Sequence, residues 1–81
     1  MTREIHSPSN GLIKEIFVQT NDFVYEWENL IIIENKEGDL VPVQLSSSGY
    51  IESLNVDKNR FIMKDTIIGY LVEDLLPCGS D

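Results

Sequence analysis

Basic residues are scarce in this sequence: it has six Lys and Arg against 14 Asp and Glu, and its formal net charge is −8 at pH 7. Binding to nucleic acid, or to an anionic membrane surface, requires clustered Lys and Arg that neutralise phosphate groups. The six basic residues are scattered and form no such cluster. We therefore expect neither nucleic acid nor a membrane as a partner. Because the same negative charge opposes self-association, we expect a monomer.

The chain also lacks the marks of a secreted or membrane-spanning protein. Its single cysteine, Cys78, cannot form an internal disulfide, which predicts a reducing, cytoplasmic location. No apolar run approaches the roughly 20 residues that span a bilayer. The N-terminal Met1-Thr2-Arg3-Glu4 has no apolar stretch behind its charges, so we expect no secretory signal.

Patterns that carry catalysis or bind metals are missing as well. There is no Gly-rich phosphate loop and no triad of nucleophile and base. His6 has no second His or Cys near it in the sequence, so we interpret it as a surface residue at a strand end. Cys78 lies in a polar segment without a base or a fixed pocket. We predict no catalytic residue and no metal ligand, and we expect a non-catalytic domain or at most a carrier subunit of a multi-enzyme complex.

No stretch keeps a 3.6-residue apolar period long enough for a helix. Short β-branched and aromatic runs instead alternate with turn residues, which predicts an all-β sandwich or barrel. We expect one domain over residues 1–74 and a C-terminal tail over residues 75–81. The predicted strands are residues 4–8, 12–19, 22–25, 29–34, 40–45, 50–56, 61–63 and 67–73.

The sequence repeats itself at an offset of 38 residues. Gly11-Leu12-Ile13 returns as Gly49-Tyr50-Ile51, and Asn21 returns as Asn59. Because Asn tolerates a positive φ, its recurrence at the same place in both halves predicts equivalent turns. The half repeats cover about residues 5–34 and 43–73, with a hairpin at residues 34–39 between them. Apolar spacings of three and then two predict a bulge in each half, at Ile13, Ile16 and Val18 and again at Ile51, Leu54 and Val56.

Taken in order, these pieces resemble the biotinyl/lipoyl carrier domain family over roughly residues 5–73. They are Ser7-Pro8, Gly11-Leu12-Ile13, Val18, Asn21-Asp22-Phe23-Val24, Leu30 and Ile33-Glu34, followed by Ser48-Gly49-Tyr50-Ile51. The resemblance implies a flattened barrel-sandwich hybrid of two four-stranded antiparallel sheets with a quasi-two-fold internal repeat. It also implies a protruding hairpin that carries the modified lysine, at the end of the domain opposite the termini.

Three features depart from the family pattern. Asn21 and Trp27 stand where the family has glycines at two turns. At the hairpin the family shows E-A-M-K-M in biotin carriers or E-T-D-K-A in lipoyl carriers, with the lysine three residues after the glutamate. Counted from Glu34, that position is Glu37, and Lys36 lies one residue earlier. A slip of one residue turns a strand side chain to the opposite face. The segment from Glu37 to the second repeat is also about one residue longer than in biotin carriers.

Two functional hypotheses follow from this resemblance. In the first, the chain is a degenerate, unmodified carrier-like domain without a cofactor, and it acts as an accessory or protein-interaction module for an unidentified protein partner. In the second, Lys36 is the covalent attachment site of biotin or lipoate in a carrier subunit of a carboxylase or 2-oxo acid dehydrogenase-type complex. A biotin or lipoate ligase and carboxylase-type subunits would then be its partners, and the cofactor would carry the chemistry.

Two further alternatives concern the wider chain. Similar half-domains occur in membrane-fusion adaptor proteins, but a long helical hairpin separates the halves there, and only a short loop does so here. Four aromatic residues also allow two interpretations. Trp27, Tyr25, Phe23 and Tyr50 form an exposed face for a protein partner, or else Phe23 and Tyr50 belong to the core and Trp27 covers an open end of the barrel.

Overall fold

The structure, a computed structural model, describes residues 2–73. Within that range the chain forms eight β-strands, and no helix there is long and apolar enough to cross a membrane. All eight predicted strands are present, although several are shorter than expected and the first begins and ends two residues earlier. The predicted tail with Cys78 lies outside the described residues. The strands are β1 (Thr2–His6), β2 (Gly11–Ile16), β3 (Phe23–Val24), β4 (Ile31–Glu34), β5 (Leu40–Val43), β6 (Gly49–Leu54), β7 (Phe61–Ile62) and β8 (Ile67–Glu73).

The strands form two four-stranded sheets in which all neighbouring pairs are antiparallel. The order is β1-β8-β6-β3 in one sheet and β5-β4-β2-β7 in the other. A shift of four strand numbers converts the first order into the second, so each half repeat contributes to both sheets in the same way. The two sheets enclose the core as a sandwich. This architecture confirms the predicted biotinyl/lipoyl-like fold with its internal repeat.

The core consists of aliphatic side chains from both halves. The inward residues that the sequence predicts lie in it or pack against it: Ile13, Val18 and Ile51 are buried, and Ile16, Leu54 and Val56 are partly buried against the buried set. Burial of such side chains stabilises the fold by about 1.5–3 kcal/mol each. The buried apolar residues are Ile5, Ile13, Val18, Val24, Leu30, Ile31, Ile33, Val43, Ile51, Ile68 and Leu71.

Both predicted bulges are present at equivalent places. The register of β2 against β4 shifts between Ile13 and Glu15, and that of β6 against β8 shifts between Ile51 and Ser53. An extra residue at such a point bends the strand and increases its twist. The broken alternation in the sequence therefore reports a real irregularity in each sheet.

The turns at Asn21 and Asn59 also correspond. Asn21 has φ 77° and Asn59 has φ 71°, which confirms the predicted positive φ. The Asn21 N–H donates to the carbonyl of Ile51 at 2.8 Å, and the Asn59 N–H donates to the carbonyl of Ile13 at 2.7 Å. Main-chain hydrogen bonds thus connect the turn of each half to the bulged strand of the other half, β6 or β2.

Candidate functional site

The hairpin between β4 and β5 has a defined tip. Strand pairing continues to Glu34 and Leu40. The Asn35 N–H then donates to the Asp39 carbonyl and the Gly38 N–H donates to the Asn35 carbonyl, both at 3.0 Å. Gly38 has φ 85°. This arrangement is a tight turn closed by a residue in the left-handed conformation, the common form of a hairpin loop with one extra residue.

The side chain of Asn35 stabilises this turn through hydrogen bonds to the main chain. Its Oδ1 accepts hydrogen bonds from the Glu37 N–H at 3.0 Å and from the Asp39 N–H at 2.9 Å. A side-chain oxygen that accepts from main-chain N–H groups farther along the chain is a recurrent way to stabilise a turn. The oxygen of Asn35 is therefore committed to the backbone, and its amide NH2 group remains as a donor.

Lys36 occupies the first central position of the turn and is exposed. The alternation argument, which placed Lys36 on the opposite face of a strand, does not apply because the residue lies in the turn and not in either strand. Glu37 follows it at the second central position and is exposed as well. Gly38 closes the turn in its left-handed conformation.

The accessibility of the Lys36 amine favours attachment of an acyl prosthetic group, whereas the position of Lys36 in the sequence opposes it. None of the ion pairs among residues 2–73 involves Lys36, so its amine is open to a modifying enzyme. However, the residue three positions after Glu34 is Glu37, a carboxylate that cannot form the amide. The residues therefore offer a reachable amine but not the family's lysine position.

A depression of about 340 Å³ lies beside the hairpin tip. Two turns that main-chain hydrogen bonds tie together form its other wall: Ser7 N–H donates to the Thr66 carbonyl at 2.9 Å, and Asp65 N–H donates to the Ser7 carbonyl at 2.8 Å. The Lys64 N–H also donates to Oδ1 of Asn10. The residues that line the depression are Pro8, Ser9, Asn10, Asn35, Lys36, Glu37 and Lys64.

The basic residues divide into two groups according to their contacts. Four of them form ion pairs within the described part of the chain: Arg3 with Glu73, Lys14 with Glu34, Lys58 with Glu15 and Arg60 with Asp57. In the same range Lys36 and Lys64 form none. Both of these lysines line the depression beside the hairpin. Sequence reasoning missed Lys64, because the contact that places it here joins residues 54 positions apart.

A cluster of aromatic side chains lies on the outer face of the sheet β1-β8-β6-β3. Phe23 pairs with Tyr50 across β3 and β6, while their neighbours Val24 and Ile51 are buried in the core. The ring of Phe23 lies 5.0 Å from those of both Tyr25 and Tyr50, edge to face in each case. Such pairs contribute about 0.5–1.5 kcal/mol beyond their buried area. We call Phe23, Tyr25 and Tyr50 the aromatic cluster.

The structure places these aromatic residues on the surface. Tyr25 is 68% exposed, Trp27 59% and Tyr50 54%, and Phe23 is partly buried. Neither Phe23 nor Tyr50 belongs to the buried core, so that alternative for the pair is wrong. Trp27 has φ 64°, the left-handed conformation that suits the family's glycine. The bulky residue is accommodated because its side chain points outward, and the turn itself is retained.

The remaining candidate, His6, lies at the exposed end of β1, as expected for a strand-end residue. Its Nε2 is 2.9 Å from Oε1 of Glu4. Within residues 2–73 no three His, Cys, Asp or Glu side chains come together in a way that could hold a metal ion. At the opposite end of the β1–β8 pair, the Arg3 guanidinium donates to Oε2 of Glu73 at 3.1 Å, and it holds the pKa of that carboxyl below its ordinary value.

Comparison with known proteins supports the fold. No protein-family model and no curated protein sequence matches this chain. Among solved structures, urea carboxylase from Kluyveromyces lactis is similar, with a TM-score of 0.80 and 17% sequence identity over 89% of this chain. The chain spans only 6% of the length of that protein. The likeness shows that this eight-stranded fold is shared with one small part of a large carboxylase.

Proposed function

We propose that this chain is a non-catalytic, carrier-like domain that stays unmodified and serves as a protein-interaction module. The observation that carries the proposal is the order of residues at the hairpin tip. Glu37 occupies the position three residues after Glu34, and Lys36 occupies the turn position before it. The fold of a carrier domain is retained, while the feature that would make it a substrate for acylation is displaced.

This displacement is large on the scale that matters for acyl transfer. Consecutive Cα atoms are about 3.8 Å apart. A modifying ligase binds the shape of the domain and must bring one amine against an activated acyl group. A misplacement of about 1 Å can already lower a rate a hundredfold. A lysine at the neighbouring turn position is therefore a poor substrate.

The aromatic cluster supports a protein as the partner. Tyr is among the residues enriched in the energetically dominant parts of protein interfaces. Tyr50 and Tyr25 are both exposed, and the ring of each contacts the ring of Phe23 edge to face. The similar fold in urea carboxylase is a small part of a long chain, which favours an accessory role beside larger catalytic units.

One observation favours a second candidate, a true carrier in which Lys36 holds biotin or lipoate. Lys36 lies at the apex of a rigid hairpin, exposed and outside the ion pairs of the described residues. In that case the hairpin would hold the amine away from the body of the domain, and the attached group would supply the transfer chemistry between active sites. Asn35 would fix the tip from which the modified side chain extends.

Intact-mass measurement distinguishes the two candidates. The chain is purified from its native host, and separately from cells that co-express biotin and lipoate ligases with both vitamins supplied. We expect the mass of the bare chain in both cases, allowing for removal of Met1. A biotinyl or lipoyl increment that maps to Lys36 and disappears in Lys36→Arg would overturn the proposal and establish the carrier.

A matched pair of variants tests the aromatic cluster as the partner-binding surface. Phe61 is the counterpart of Phe23 in the second half and is 53% exposed on the other sheet. Partners are identified by pull-down with the wild-type chain, and their affinity is then measured for Tyr50→Ser and Phe61→Ser. We expect Tyr50→Ser alone to weaken binding, by about tenfold or more. Equal loss in both variants, or loss only in Phe61→Ser, would contradict this assignment.

A further inference from the structure

The depression beside the hairpin concentrates positive charge in an acidic protein. The whole chain carries a net charge of −8, yet two lysines and one carboxylate line this one depression. Among residues 2–73, Lys36 and Lys64 are also the two basic residues that form no ion pair. The other four Lys and Arg side chains each form an ion pair with a carboxylate. An incoming anion therefore finds free ammonium groups here without having to displace a carboxylate.

The two asparagines of the depression each keep an amide NH2 group as a hydrogen-bond donor. Oδ1 of Asn10 accepts from the Lys64 main-chain N–H, and Oδ1 of Asn35 accepts from two main-chain N–H groups at the hairpin tip. Because an amide side chain has one oxygen and one NH2 group, the NH2 groups of both residues remain available. The Ser9 hydroxyl donates to the Asn10 carbonyl at 3.0 Å. Two amide NH2 groups are thus available as donors beside the two lysines.

The donors come from three rigid segments that are far apart in the sequence. The hairpin tip is held by Asn35, and the turn at residues 7–10 is fastened to the turn at residues 63–66 by main-chain hydrogen bonds between Ser7, Asp65 and Thr66. The backbone positions of Asn10 and Lys64 are therefore fixed relative to each other before any ligand arrives. Preorganisation of this kind lowers the entropic cost of binding.

From these contacts we propose that the depression binds a small oxyanion with two negative charges, such as phosphate or a dicarboxylate. The ammonium groups of Lys36 and Lys64 supply the charge, and the amide NH2 groups of Asn10 and Asn35 supply directed hydrogen bonds. A small anion fits better than a nucleic acid, because only two lysines line the depression and the chain as a whole is acidic. Glu37, the one carboxylate on the rim, weakens the site.

The site uses Lys36 as a free ammonium group and so rests on the proposed unmodified state. Acylation would remove the positive charge, although Lys64 and the two asparagines would be unchanged. The two proposals can fail separately, because anion binding is measured on recombinant chain whose mass shows it to be bare. The state of Lys36 in the native host is decided by mass alone.

Titration followed by ¹H–¹⁵N NMR tests the site directly. Inorganic phosphate and succinate are each added at constant ionic strength with chloride as the balancing ion. We expect saturable shifts confined to the Asn10 and Asn35 side-chain amides and to the main-chain N–H groups of residues 36 and 64. The phosphate and succinate arms also show which oxyanion chemistry the depression prefers.

Variants that each remove one positive charge distinguish anion binding at the depression from an effect of the net charge of the protein. Lys64→Gln and Lys36→Gln should each raise the dissociation constant about tenfold, the effect of losing one charge-assisted hydrogen bond. Lys58→Gln removes the same charge from an exposed residue that does not line the depression and should leave the constant within about twofold. Glu37→Gln should tighten binding. Absence of saturable shifts with both anions, or equal weakening in Lys58→Gln and Lys64→Gln, would overturn the proposal.

Discussion

Trp27 and Asp65, 38 residues apart, form the same backbone corner in the two halves of the domain. Their φ angles are 64° and 67°. The Trp27 N–H donates to the Leu45 carbonyl, and the Asp65 N–H donates to the Ser7 carbonyl, each at 2.8 Å. Leu45 and Ser7 are themselves 38 residues apart. Two side chains without any chemistry in common thus occupy one conformation because the fold requires it there.

This corner carries backbone strain that substitution should reveal. A side chain with a Cβ in the left-handed region costs about 1–2 kcal/mol, whereas glycine adopts that region freely. We therefore expect Trp27→Gly to be more stable than Trp27→Ala by about 1 kcal/mol, and Asp65→Gly to exceed Asp65→Ala similarly. Urea unfolding of each pair measures the difference. Gln44 has no positive φ, so Gln44→Ala should be more stable than Gln44→Gly. If Trp27→Ala were likewise more stable than Trp27→Gly, the strain argument would be wrong.

The repeated glycines should be far less tolerant than the hairpin glycine. A Cβ on Gly11 would clash with the Glu34 carbonyl oxygen, and one on Gly49 would clash with the Val72 carbonyl oxygen. We expect Gly11→Ala and Gly49→Ala each to lower the free energy of unfolding by about 2–3 kcal/mol. Gly38→Ala meets no atom within 4 Å, so it should lose only the roughly 1 kcal/mol due to its positive φ. Denaturant unfolding of the three variants measures these losses. Equal losses of unfolding free energy in all three would contradict the prediction.

The contact between Arg3 and Glu73 predicts a pH dependence at the strand ends. Arg3 lowers the pKa of Glu73 in the folded chain, so the contact stabilises the fold above the ordinary pKa of 4.5 and is lost as pH falls through the lowered value. Arg3→Gln should therefore be less stable than wild type at pH 7, and the difference should vanish in strong acid. NMR titration should show the Glu73 pKa returning toward its ordinary value in the variant.

Arg60→Gln serves as the control, because Arg60 lies 4.0 Å from Asp57 and both side chains are largely exposed. Exposed pairs of this kind contribute little to stability. Its unfolding midpoint should follow the wild type across the whole pH range. A stability gap for Arg3→Gln that persisted unchanged below pH 2 would show that the loss has another cause.

The position of the hairpin lysine can be tested by moving it. If displacement of the amine keeps the chain unmodified, Lys36→Gln/Glu37→Lys should gain acylation by a co-expressed ligase, and removal of Gly38 in that variant should increase it further by shortening the loop. Intact mass reports the modified fraction. Bare chains in all of these variants would show that features other than the lysine position prevent modification.

The charge of the chain leads us to expect a monomer, and sedimentation measures this directly. The repulsion that underlies the expectation is screened by salt. The protein should sediment as a single 9.2 kDa species at micromolar concentration and low ionic strength. A stable dimer under those conditions would mean that the exposed aromatic cluster outweighs the net charge.

The internal repeat could be recognised from the sequence because its residues are constrained locally. Gly11 and Gly49 are required by close backbone approach, and Asn21 and Asn59 suit a positive φ, so the same residue types recur at each place. The broken alternation after Ile13 and Ile51 likewise reflects a bulge that each strand carries in its own residues. For these elements the sequence alone determined the fold class, the strand count and the symmetry.

Only the tertiary structure decided which turn conformations and which side chains come together at the hairpin end of the domain. The corner shared by Trp27 and Asp65 is set by hydrogen bonds to distant carbonyl groups, so no residue type marks it. Lys36 lies in a turn that Gly38 closes, and alternation along a strand cannot anticipate that position. Lys64 joins Lys36 because Asn10 holds its backbone from 54 residues away. Such contacts depend on how separate turns meet in space, and the order of residues along the chain does not encode them locally.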